Sequence, residues 1–290
     1  MANDTVDFSE RRIRRTQGSI YARDYAGAGP ALVLMHGFPD NLRIWDDLIP
    51  YLNVAGRRVV TFDFLGFGAS DKPAGATYSF EQQLGDLKAI ADELHLEKIV
   101  PVAHDSSGIA AINYALERPE RVDSVIMLNS AYSEDSTVLW PEMITLFATH
   151  SMHALAVAIA QSPGQFGWLL KWQQEQFGNS LPESQREHFT SFIGPLISQN
   201  FLQQPGAGPA FLQMAAQFFQ ALERNSHNLP LLKSLNTTVK LIWGKYDPYF
   251  PLAVAEKRRS QLANASLTVI PAGHWLQTDE PGQVARAMLS

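Results

Sequence analysis

The stretch IVPVAHDSSGIA, residues 99–110, decides how the chain is built. A β-branched apolar run, Ile99 to Val102, meets small and polar residues and then a helix-like pattern, Ile109-Ala110-Ala111-Ile112. That order predicts a strand turning sharply into a helix, a corner that presents one side chain at the edge of a sheet. Three reactive side chains sit there: Asp105, Ser106 and Ser107. The backbone of such a corner passes close to the helix start, so the residue two before the presented side chain and those two and three after it must be small. For Asp105 these are Ala103, Ser107 and Gly108; for Ser106 the preceding position is the bulky His104, and for Ser107 it is Asp105. Asp105 fits best.

Outward from this corner, strands and helices alternate. Arg12 to Tyr25 reads as two short strands joined near Gly18, ALVLM (31–35) as a buried strand and RVVTF (58–62) as another, with a helix over Ile44 to Leu52 between them. Leu84, Leu87, Ile90 and Leu94 give Glu81–Leu94 helical spacing. After the corner come a helix to Glu117 and the strand SVIML (124–128). This pattern predicts an α/β fold with a mostly parallel sheet covered on both faces. The alternation stops near Ala131. From Tyr132 to about Asn228 the patterns are helical, broken by Pro163-Gly164, Gly194-Pro195 and PGAGP (205–209), and it resumes with VKLIW (239–243) and SLTVI (266–270). The expected domains are therefore a core from 1–131 and 229–290 and a helical cap from 132–228. The cap is expected over the C-terminal edge of the sheet, where open α/β sheets bind ligands.

Composition narrows the functional classes. The 290 residues are 46% hydrophobic and 18% charged, enough to bury a large core, and the net charge is −6. Arg11 to Arg15 alternates like an edge strand with solvated arginines, so nucleic-acid binding is not expected. The absence of cysteine excludes disulfides, thiol catalysis and thiolate metal sites. No signal peptide is visible in MANDTVDFSE, and the apolar stretch Met152–Ala160 is too short to span a bilayer, so a cytoplasmic protein without membrane partners is expected, as monomer or homodimer. There is no dinucleotide or Walker motif and no metal-like His/carboxylate spacing, so neither cofactor nor metal is expected.

Five motifs in order, HGFP (36–39), DFLGFGASDKP (63–73), HDSSG (104–108), GKYD (244–247) and GHW (273–275), resemble the α/β-hydrolase fold. They are most similar to its epoxide hydrolase and haloalkane dehalogenase branch, whose corner carries an aspartate. The resemblance implies an Asp105 nucleophile, a His274 general base and an Asp247 that orients it, with the backbone N–H groups of Phe38 and Ser106 as oxyanion donors. The chemistry agrees. A serine alkoxide attacking saturated carbon would leave an ether that water cannot open, whereas a carboxylate leaves a hydrolysable ester. A helix N-terminus also favours negative charge at Asp105. Asp105 as a helix N-cap and Ser106 as a catalytic serine remain competing readings.

The leaving group is less legible. Epoxide hydrolases of this branch use two lid tyrosines, but no tyrosine lies between Tyr132 and Tyr246, and AQFFQALER (216–224) offers Phe218 and Phe219 where one would stand. Haloalkane dehalogenases use a tryptophan directly after the nucleophile; here that position is Ser106. Trp140, Trp168 and Trp172 could supply an indole N–H, and with Phe219 and Trp275 they are the expected pocket residues. The reading inclines to dehalogenase-like cleavage of a small apolar substrate by water, with epoxide opening, ester or lactone hydrolysis, and ligand binding without turnover as alternatives.

Overall fold

The computed structural model describes residues 6–290; of the opening MANDTVDFSE stretch, residues 1–5 lie outside the description. The strands are β1 (Ser9–Arg15), β2 (Gly18–Tyr25), β3 (Ala28–Met35), β4 (Arg57–Phe62), β5 (Ile99–Asp105), β6 (Ser124–Ser130), β7 (Thr238–Gly244) and β8 (Ala265–Ile270). They form one sheet in the order β1-β2-β4-β3-β5-β6-β7-β8. Pairing is antiparallel for β1 with β2 and β2 with β4, and parallel from β4 onward. β5 and β6 are buried along almost their whole length and β3 from Ala31 on, as continuous apolar runs in a parallel sheet require. On the edge strand β1 only Ile13 is buried; Arg12 reaches the Ala69 carbonyl in a neighbouring loop and Arg15 pairs with the buried Asp86.

In the core, α1 (Ile49–Val54), α2 (Phe80–Glu93) and α3 (Gly108–Glu117) follow β3, β4 and β5. The expected helix over Ile44–Leu52 is split: a 3-10 turn at Leu42–Trp45 precedes α1, and Pro50 falls in the first turn of α1, where its missing N–H costs nothing. Ser79 caps α2 by accepting from the Gln82 N–H at 3.1 Å.

Between β6 and β7 the chain is helical: α4 (Glu142–Ala148), α5 (His153–Ala160), α6 (Pro163–Asn179), α7 (Glu183–His188), α8 (Gly194–Leu202), α9 (Gly208–Ser226) and α10 (Leu229–Leu232). The chain ends through α11 (Leu252–Gln261), α12 (Leu276–Asp279) and α13 (Pro281–Leu289). Among the described residues no single helix is long and apolar enough to cross a membrane.

Loops at the C-terminal ends of the strands are held by buried polar groups. Asp63 accepts from the Leu42 and Ala69 N–H groups, both at 2.7 Å, and Ser70 Oγ donates to Asp63 O. Gly68 lies so close to the Asp63 carboxylate that a Cβ there would collide with it. The loop reading of the 63–73 motif therefore has a direct cause. His36 is fully buried and accepts from the Phe64 N–H at 3.2 Å, tying the end of β3 to the end of β4.

Candidate active site

β5 delivers Asp105 to the corner with φ +57°, a left-handed conformation that costs a non-glycine residue and persists only where the surroundings impose it. Those surroundings are Ser130 Oγ donating to Asp105 O at 2.5 Å and the Ala131 N–H donating to the same carbonyl at 3.0 Å. Gly108 is required because a Cβ there would collide with Ser130 Oγ and Ala131 O. The N-cap reading of Asp105 does not hold: the cap residue of α3 is Ser107, and it makes no side-chain capping bond.

The neighbouring serines are occupied or withdrawn. Ser107 Oγ accepts from the His104 N–H at 3.0 Å and lies 2.8 Å from His104 O and 3.1 Å from Met35 O, so its proton goes to a backbone carbonyl. Ser106 is fully buried, and its Oγ faces the Phe38 N–H at 3.4 Å. Asp105 is the corner residue whose side chain is partly open, at 23% exposure.

β7 and β8 supply the other two groups. His274 Nε2 lies 3.5 Å from Asp105 Oδ2, and Nδ1 donates to Asp247 Oδ2 at 2.6 Å. Asp247 is held by four donors: His274, the Asn129 side-chain amide at 2.6 Å, and the backbone N–H groups of Tyr249 (2.9 Å) and Phe250 (3.0 Å). Burial opposes its ionisation, but His274 and the Tyr249 and Phe250 N–H groups outweigh it and hold its carboxyl below the usual range. Burial likewise opposes charge on His274, yet the Asp247 and Asp105 carboxylates prevail and raise its imidazole to about 10. Asn129, at the end of β6, also accepts from the Gly244 N–H at 2.7 Å and so locks the ends of β6 and β7 together under the acid. Glu134 and Asp135 take no part: Glu134 is exposed, and Asp135 pairs with Lys257 and Thr137.

Phe38 stands beside the corner after a tight approach by Gly37, and the Phe38–Pro39 peptide bond is cis. A Cβ at position 37 would sit 2.5 Å from both Asp105 Cβ and Oδ1. Gly37→Ala is therefore expected to displace the Asp105 carboxylate and lower turnover by about 10²-fold. Steady-state kinetics beside a thermal melt checks this; unchanged activity would mean the loop yields instead.

The profile of the alpha/beta hydrolase fold matches residues 30–281 of the sequence. The chain is an α/β-hydrolase. Its sequence is 27% identical to haloalkane dehalogenase 2 of Mycobacterium tuberculosis over 289 residues, covering 97% of this chain and 94% of the relative. It is 26% identical to epoxide hydrolase 4 of Mus musculus over 277 residues, covering 89% and 72% of the two chains. Among solved structures it is similar to a thermophilic esterase from Thermogutta terrifontis, with a TM-score of 0.74 at 21% identity and coverage of 98% and 97%.

In this α/β-hydrolase an apolar cavity opens above Asp105 and His274, walled by α4, α6, α8 and α9. Of the expected pocket residues, Trp140 and Trp275 line it. The other three do not. Trp168 is 67% exposed on the outer face of α6, and Trp172 and Phe219 pack against the core without reaching the cavity. The helix face was the missing information: on α6 Gln173, Gln174 and Phe177 turn inward, and on α9 Phe211 and Phe218 do. Trp275 spends its indole N–H on Asp40 Oδ2 at 2.9 Å. Asp40 was missed by the sequence reading although it directly follows HGFP. It is 2% exposed and lines the cavity, and burial raises its carboxyl to about 7. Among the described residues no cluster of His, Cys, Asp or Glu suits a metal ion.

Proposed function

We propose that this α/β-hydrolase attacks an apolar alkyl electrophile through Asp105, forming an alkyl ester that a His274-activated water opens. The observation that carries the reading is a carboxylate, not a hydroxyl, at the corner position facing His274 Nε2, while Ser107 is tied to backbone carbonyls. In the first half-reaction a carboxylate oxygen of Asp105 bonds to carbon as the leaving group departs with its electron pair. In the second, His274 takes a proton from water as the hydroxyl adds to the ester carbon, and Asp247 supports the imidazolium. The backbone N–H groups of Phe38 and Ser106 stabilise the oxyanion that then forms. Residues 132–228 act as a cap that keeps bulk water from the cavity, on a core of 1–131 and 229–290.

The leaving group is read as halide. Two tyrosine hydroxyls are committed elsewhere: Tyr132 donates to Asn113 at 3.0 Å, and Tyr249 donates to Glu142 at 2.7 Å. Neither tyrosine lines the cavity. Trp140 does, packed edge-on against Phe218 and Phe250, and its indole N–H makes no hydrogen bond to another described residue. It is the donor assigned to the departing halide. The likeness to haloalkane dehalogenase 2 over nearly the whole chain supports the same choice.

The test is halide release from 1-bromoalkanes beside diol formation from terminal epoxides and hydrolysis of p-nitrophenyl esters. Bromide release leading the other two is expected, and ester hydrolysis alone would overturn the reading. Ser106→Ala sharpens the result. It is expected to keep turnover within about tenfold, because Ser106 contributes its backbone N–H and not a nucleophile. Loss of all activity in that variant would point to a serine enzyme.

A further inference from the structure

Asp40 is a buried carboxyl with no place in the mechanism above. It lies in the loop after β3 and lines the same cavity as Asp105 and His274; among the described residues these three are the only titratable side chains along its wall. Its Oδ2 is fixed by the Trp275 indole N–H, from the residue that follows His274, while its Oδ1 is buried with no hydrogen-bond partner. Beneath it stands His104. The His104 ring packs against His274 with centroids 4.7 Å apart, and its Nε2 lies 3.0 Å from His274 O. That contact requires the proton on Nε2, so Nδ1 is a bare acceptor. Nδ1 has no partner and faces Asp40 Oδ2 at 3.7 Å. Two buried acceptors turned toward each other are stabilised when a proton is added between them, and Asp40 is the group able to take it.

His274 needs such a partner. With Asp105 and Asp247 both anionic, its imidazole holds a proton at neutral pH, and a protonated imidazole cannot serve as base. Alkylation turns Asp105 into a neutral ester and removes one of the two anions that hold this proton. We propose that Asp40 then accepts the proton from His274 and so readies the imidazole for the water step. This rests on the alkyl-ester reading above. The step breaks the His274 Nε2–H bond and forms an O–H bond on Asp40, with the co-substrate water as carrier and no change in oxidation state. Water attack then puts a proton back on His274, which passes it to the departing alkoxide. Asp105, freed as the acid, returns its proton to His274, and Asp40 releases the stored proton to solvent. The sum is alkyl halide plus water giving alcohol, halide and one proton. Asp40 acts through His274 and is in that sense a positioning residue.

The ionisable groups facing Asp40 are His104 and Asp105 from β5 and His274 after β8. Burial is the largest influence on its carboxyl and raises it to about 7, with Asp105 adding to the rise and Trp275 and His274 opposing it. Burial and the nearby His274 lower His104 to about 3, so His104 stays neutral throughout.

The experiment is rapid mixing of wild type and Asp40→Asn with a 1-bromoalkane, following bromide release and the alkyl-enzyme by intact mass. Asparagine keeps the shape and can still accept from Trp275, but it cannot take a proton. Bromide release in the first turnover is expected to slow less than ester hydrolysis does. Ester hydrolysis is expected to fall about tenfold or more at pH 7 and to recover as pH rises and His274 loses its proton directly. Asp40→Glu, which restores a carboxyl, is expected to recover part of the neutral-pH rate. Equal hydrolysis rates and pH profiles in wild type and Asp40→Asn overturn the proposal while leaving the alkyl-ester reading intact. So does an equal, pH-independent slowing of both halves, which marks a purely structural role. An absence of any alkyl-enzyme in wild type and in His274→Ala overturns the ester reading itself, and this proposal with it.

Discussion

Asp105→Asn is expected to abolish turnover, lowering kcat by about 10⁴-fold or more against every electrophile. The amide has the shape of the carboxylate but not its nucleophilic oxygen, so the first bond to carbon does not form. The fold should be indifferent to the change. The strained φ at 105 is imposed by hydrogen bonds to the backbone carbonyl, not to the side chain. The side chain's nearest charged partner is His274, at 3.5 Å. Removing that anion also weakens the support for the imidazolium, so the His274 titration should move down from about 10 toward the ordinary histidine range. Halide release and histidine NMR on one preparation check both statements. Retained activity would place the nucleophile elsewhere, with Ser106 the first suspect.

His274→Ala is the complementary result, and it leaves a visible product. On the mechanism proposed above, the nucleophile and the oxyanion donors Phe38 and Ser106 remain, so alkylation should proceed while the water that must open the ester has lost its base. Ester hydrolysis should slow by about 10²–10⁴-fold and the covalent intermediate accumulate. Intact-mass measurement distinguishes the chemistry. A bromoalkane should add its own mass less HBr, the alkyl group standing in place of the carboxyl proton, and an epoxide that reacts should add its whole mass. The same incubation with the Asp105→Asn, His274→Ala double variant should add nothing. An unmodified His274→Ala protein after every electrophile would sink the ester mechanism.

The corner and its partners were legible because their constraints are local. Ala103, Ser107 and Gly108 had to be small around Asp105, and the packing of Gly108 against Ser130 shows the reason. His274 and Asp247 follow strands whose apolar runs are plain in the sequence, so their arrival at one sheet edge is a matter of topology. The cavity walls were not legible to the same degree. Trp168, Trp172 and Phe219 have the composition of pocket residues, but which side of a helix turns inward depends on how seven helices pack on one another and on the sheet. Asn129 and Asp40 escaped for a different cause. A single amide or carboxyl after a strand carries no periodic signal, and its role exists only through partners 118 residues away for Asn129 and 235 away for Asp40.

The excursion between β6 and β7 leaves the sheet at the C-terminal end of one strand and re-enters at the N-terminal start of its parallel, hydrogen-bonded neighbour, and Asn129 separately ties the C-terminal ends of the two strands. The β6–β7 ladder fixes the excursion's departure and re-entry points relative to each other whatever lies between them. Substitutions on the helices can alter which molecules are admitted while the sheet and Asn129 keep the Asp105 and Asp247 backbones in place. A laboratory search for new substrates belongs at the cavity-facing positions of α4, α6, α8 and α9 that touch neither His274 nor Phe38, which leaves out Phe177, Phe211 and Phe218.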